Sequence, residues 1–146
     1  MTSDPIILSV PHTGTRFLRE RLGVEDHIHL VDPWSEVWTR IMGRHIIVPL
    51  RAPVDSWRSW CRRHDPDNFP YAQWMVAWGL LQVLDSVMDL DIICVDKQQD
   101  SRITDWSKVG DGDRSRADWK LIKTDLRPIY KLPVVERHYG SLAKAA

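Results

Sequence analysis

A chain of 146 residues, 43% of them apolar, can bury one sizeable core but has no room for a second domain of ordinary size, so residues 1–146 are expected to form a single domain. Twenty Lys and Arg balance twenty Asp and Glu; a net charge of zero argues against nucleic acid and membrane surfaces as partners, and any anion site must be local. No apolar stretch approaches the roughly 20 residues that cross a bilayer, and the N-terminus lacks the charged-then-apolar pattern of a secretory signal, which makes the cytoplasm the expected location.

Ile6 to Val10 is a short continuous apolar run closed by Pro11 and Gly14. It reads as a strand and a turn, after which Phe17, Leu18 and Leu22 fall at helical spacing before a stop at Gly23. His27 to Val31 is a candidate second strand, and Trp34, Val37, Trp38 and Ile41 then lie at i, i+3, i+4, i+7 on a helix ended by Gly43. His45 to Leu50 is the clearest β run, with Pro53 placed as the first helical residue of a segment carrying Val54, Trp57 and Trp60. From Tyr71 to Met88 one apolar stripe, Trp74, Ala77, Trp78, Leu81, Leu84 and Met88, predicts a long helix leading into a strand from Asp91 to Asp96. Lys97 to Asp118 is polar and without period, which reads as a long loop and a candidate lid; Trp119 to Leu126 reads as helical, and Lys131 to Tyr139 is ambiguous.

Cys61 and Cys94 sit in apolar surroundings without CxxC spacing and are expected as reduced thiols. Most of the eight tryptophans recur in pairs at i,i+3 or i,i+4 spacing, which places most of them in the core. Alternating β and α segments predict an α/β domain, a mainly parallel sheet flanked by helices, with ligands gathered at the C-terminal ends of the strands.

Two such strand ends carry chemistry. Val10-Pro11-His12-Thr13-Gly14-Thr15-Arg16-Phe17-Leu18 joins the first strand to the first helix, where backbone amides and the positive end of the helix dipole converge on one point. A phosphate or sulfate fits there. The ATP-type loop needs a longer Gly-rich run ending in Gly-Lys-Ser/Thr, and neither its length nor its lysine is present. The pattern instead resembles the 5′-phosphosulfate loop of the sulfotransferases, Pro-Lys/Arg-Ser/Thr-Gly-Thr/Ser-Thr/Arg followed by an apolar or aromatic residue. Pro11, Thr13, Gly14, Thr15 and Arg16 match it; His12 stands where the family carries Lys or Arg.

The second strand end, Leu50-Arg51-Ala52-Pro53 running on to Ser59, is similar to the family segment in which an Arg and a Ser eight residues later hold the 3′-phosphate of the cofactor. Arg51 offers a planar fork to phosphate oxygens, and Ser59 lies about two turns into the helix; Ala52 departs from the usual acidic residue. Lys108-Val109-Gly110-Asp111-Gly112-Asp113 resembles the family's late Arg-Lys-Gly-x-x-Gly loop, which would add Lys108 and Gly110 to the nucleotide contacts.

The resemblance implies a P-loop NTPase-like, sulfotransferase-like fold and the sulfuryl donor 3′-phosphoadenosine-5′-phosphosulfate (PAPS), with product 3′-phosphoadenosine 5′-phosphate (PAP), a hydroxyl or amine acceptor and no required metal. His12, Thr13, Gly14, Thr15, Arg16, Arg51 and Ser59 would bind the donor, with His12 and Arg16 also stabilising charge in the reaction. A general base is expected near the end of the next strand. His29 is the first candidate, with Asp32, Glu36 and His27 as others. The chain is shorter than familiar members, so the acceptor site is expected to be open, completed by another subunit of a homo-oligomer, or missing. Two further readings stay open: a non-catalytic domain that binds PAPS or PAP, and an atypical P-loop kinase using Asp96 as its metal carboxylate.

Overall fold

The computed structural model describes residues 4–63, 71–106 and 125–140, with the side chains of residues 61–63 left aside. Strand β1 (Pro5–Ser9) leads into α1 (Thr15–Leu22), β2 (His27–His29), α2 (Trp34–Ile41), β3 (His45–Leu50), α3 (Pro53–Arg63), α4 (Tyr71–Val87) and β4 (Asp91–Cys94). Two short helices follow, α5 (Arg127–Tyr130) and α6 (Pro133–Tyr139). The four strands pair in parallel in the order β2-β1-β3-β4.

That order dictates where the helices go. From β1 the chain steps one way to β2 and then back across β1 to β3, and right-handed crossovers in opposite directions put α1 and α2 on opposite faces of the sheet. The step from β3 to β4 continues in the second direction and keeps α3 and α4 with α2. Side chains pack on the two faces accordingly. Ile6, Leu8, Ile46, Val48 and Leu50 share a cluster with Val37, Ile41, Trp57, Trp74, Trp78 and residues of α5 and α6. The alternate residues Ile7, Ile47 and Ile93 pack with Phe17 and Leu18 of α1 on the other face.

Several expectations are corrected. The strands beginning at His27 and Asp91 end at His29 and Cys94, shorter than the runs to Val31 and Asp96. On α2 only Val37 and Ile41 are buried, while Trp34 and Trp38 are 41% and 40% exposed and pack on each other. The strand beneath them, β2, has three residues and forms the sheet edge, so one i,i+4 pair covers it and the neighbouring pair overhangs. Of the candidate lid from Lys97 to Asp118, residues 107–118 lie outside the described residues; in the rest, Ile103 is buried against α1, Trp106 stacks on Phe17 and the Asp105 carbonyl accepts from Arg21 Nε at 2.7 Å. The ambiguous segment from Lys131 holds α6, where Val134 and Val135 are buried. Among the described residues no helix is long and apolar enough to cross a membrane.

Candidate functional site

The chain leaves β1 toward one edge of the sheet and β3 toward the other, so the carboxyl ends of these neighbouring strands flank a topological switch point, the place where open α/β sheets leave a crevice. A cleft of about 750 Å³ opens there. Its walls come from the turn after β1, from the junction of β3 with α3, and from β2.

The turn is built to be rigid. Thr13 is fully buried and its hydroxyl donates to the Val10 carbonyl at 2.7 Å, while Ser56 of α3 donates to the Pro11 carbonyl at 3.0 Å. His12 adopts a left-handed conformation with φ 63°, a conformation uncommon outside Gly. Gly14 follows with φ 104° and caps α1. The Leu18 amide donates to the Gly14 carbonyl at 3.0 Å, the first bond of the helix, so the amides of Thr15, Arg16 and Phe17 lack a carbonyl one turn back. Thr15 and Arg16 line the cleft at this positive helix end, and the first turn of α1 carries no acidic residue.

Arg51 reaches the cleft from the end of β3 and is only 7% exposed; Ser59, one turn beyond Ser56 on the same side of α3, is 3% exposed. His12 Nδ1 and Ser59 Oγ are hydrogen-bonded at 2.9 Å, and the imidazole meets the Trp60 indole edge-to-face with centroids 4.9 Å apart. The loop and the Arg51–Ser59 segment, far apart in sequence, therefore share one cavity.

On the third wall, the parallel register sets Ser9 opposite His29. Ser9 Oγ lies 3.0 Å from His29 Nδ1 and 2.7 Å from Thr15 Oγ1. Burial pushes the His29 imidazole below its usual pKa, the Asp32 carboxylate opposes the shift and the neighbouring His27 adds to it. Asp32 Oδ2 accepts the backbone N–H of His29 at 2.9 Å, which holds the strand end, and His27 also lines the cleft. Glu36 is exposed on α2 beside Ser35, Thr39 and Arg40, away from these walls. Asp96 has both oxygens engaged: Oδ2 accepts the Ala52 amide at 2.9 Å and Oδ1 the Tyr139 hydroxyl at 2.7 Å. Lys108 and Gly110 lie outside the described residues.

Two members of the site escaped the sequence reading. Ser9 stands inside an apolar strand, and only the register with β2 shows that it belongs with His29. Trp60 read as part of an apolar helix face but borders the cleft. Among the described residues no cluster of three or more His, Cys, Asp or Glu is placed to hold a metal ion. Comparison with known protein families, with characterised proteins and with solved structures finds no match for this chain.

Proposed function

We propose that this cleft binds PAPS and that the chain is a sulfotransferase-like P-loop domain that moves the sulfuryl group to a hydroxyl or amine acceptor. The observation that carries the reading is the His12–Ser59 hydrogen bond, which closes a separation of 47 residues and joins the two phosphate-type segments over one cavity. The 5′-phosphosulfate would rest on the Thr15 and Arg16 amides, and the 3′-phosphate on Arg51 and Ser59.

In the transfer, the bond between sulfur and the bridging phosphate oxygen breaks as a bond forms from sulfur to the acceptor oxygen or nitrogen. The acceptor's proton passes to His29, and the charge left on the phosphate is met by His12, Arg16 and the helix-end amides. A depressed pKa suits His29 to this role, because the imidazole is neutral and able to take a proton at neutral pH.

The test is calorimetric titration with PAP on wild type and Arg51→Ala, with ATP and AMP as comparison ligands. Binding that requires both the 3′-phosphate and Arg51 supports the assignment; a preference for ATP, or no binding, rejects it. A second reading, binding without transfer, is favoured by His12 itself, an imidazole bonded to Ser59 where the family carries a cation aimed at the leaving group. It predicts that PAP binds while PAPS stays intact across hydroxyl and amine acceptors. The kinase reading has less to support it: Asp96, its candidate metal carboxylate, accepts the Ala52 amide on Oδ2 and the Tyr139 hydroxyl on Oδ1.

A further inference from the structure

Three side chains from three elements form a line that donor binding alone does not require. Thr15 Oγ1, in the first turn of α1, lies 2.7 Å from Ser9 Oγ at the end of β1, which lies 3.0 Å from His29 Nδ1 in β2. Ser9 is fully buried, and its hydroxyl has one proton to place between these two neighbours. Two arrangements satisfy the line. When Ser9 donates to Nδ1, it accepts from Thr15 and the imidazole carries its proton on Nε2. When Ser9 donates to Thr15, it accepts from Nδ1–H and Nε2 is left as a bare lone pair.

Thr15 selects between them, because it is the member that lines the cleft at the N-terminus of α1, where an anion would sit. An anionic oxygen seated on the N-terminus of α1 accepts a hydrogen bond from the Thr15 hydroxyl, so Thr15 can no longer donate to Ser9 and must accept from it. We infer that an anion bound at the start of α1 sets the tautomer of His29 through Thr15 and Ser9, leaving Nε2 unprotonated when the donor is in place. The inference rests on the proposed reading of the cleft as the seat of an anionic donor.

The change is neutral in charge: one proton leaves Nε2 for solvent and one joins Nδ1. Its effect is to make His29 a competent base when an anion occupies the start of α1, with Ser9 as the positioning residue. The groups around the ring are consistent with a neutral imidazole that exchanges tautomers. Burial disfavours the cation and outweighs the opposing Asp32 carboxylate, whose Oδ2 accepts the His29 amide, and the His27 ring stands edge-on at 5.6 Å.

Nitrogen NMR of protein labelled at histidine, with signals assigned against His29→Gln, tests the relay in two titrations, one with PAP and one with inorganic sulfate. In wild type either anion should move the His29 proton from Nε2 to Nδ1. Ser9→Ala should bind the anion without that shift, and Ser9→Thr, which keeps the hydroxyl, should restore it. Should Ser9→Ala fail to fold, Thr15→Val removes the anion-facing end of the line and should abolish the shift. If PAP binds and the tautomer does not change, or changes equally in Ser9→Ala, the relay is overturned and the nucleotide site stands. A shift with sulfate but no binding of PAP retains the relay and discards the nucleotide reading; silence toward both anions overturns both.

Discussion

Gly14 is constrained from two directions at once. Its φ of 104° is a conformation that side chains rarely adopt, and a Cβ there would lie 3.0 Å from Val95 Cγ2, at the end of the strand two places away in the sheet. Gly14→Ala is therefore expected to cost about 1–3 kcal/mol, from backbone strain alone at the lower end, and to lower the thermal midpoint measurably. If the midpoint is unchanged, the turn has relaxed and its rigidity is not what shapes the cleft. The sequence marks Gly14 as the pivot of a β-to-α turn, but the contact with Val95 depends on a strand more than eighty residues away in the chain. Ser9 was illegible for a related reason: a small hydroxyl in an apolar run has no pattern of its own, and its partner is defined by register.

At the level of elements, Asp96 ties the segments after β3 and β4 to α6. One oxygen holds the amide of Ala52, just before α3, and the other accepts from Tyr139 at the end of α6. Burial and the nearby Asp96 carboxylate push the Tyr139 phenol far above its ordinary pKa, so it remains a donor throughout the accessible pH range. Tyr139→Phe should cost about 1.5–3 kcal/mol, the range for hydrogen bonds to charged groups, read as a lower urea midpoint with unchanged slope. A neutral result would mean that water replaces the hydroxyl at Asp96. The elements with a sustained period, α1 and α4, and the β run of β3 were readable along the chain. α5 and α6 were not, because helices of four and seven residues are shorter than the window in which a 3.6-residue period can be counted. On α2 the period was right but the burial was not: spacing puts Trp34, Val37, Trp38 and Ile41 on one apolar face, and only the width of the strand beneath decides that Val37 and Ile41 are the covered pair.

At the scale of the whole molecule, a pH dependence of stability is expected, its sign set by two partly buried imidazoles. Burial holds His29 and His138 below the usual 6.5, so at mildly acid pH the unfolded chain takes up protons that the folded chain refuses. Stability is then expected to decline as pH falls through about 6.5, before the carboxylates of Asp26 and Asp91, held low by their arginine partners, lose their contribution in the more acid range. Thermal melts from about pH 7.5 to 5 check the first limb, and His29→Gln should flatten it. Alternating segments made a parallel sheet legible, but not its order, because hydrophobic spacing says nothing about the direction of each crossover. The edge strand β2 also bears on how the fold is reached. In the observed register His27 and His29 face the cleft while Ile28 lies with the large apolar cluster. A slip of one residue would exchange the two sets, burying imidazoles among aliphatic side chains and wetting the isoleucine. Such a sheet would be rejected as it formed, so the polar residues of the cleft act as proof-readers of strand pairing, and a chain that has completed its core has, by the same step, assembled its site.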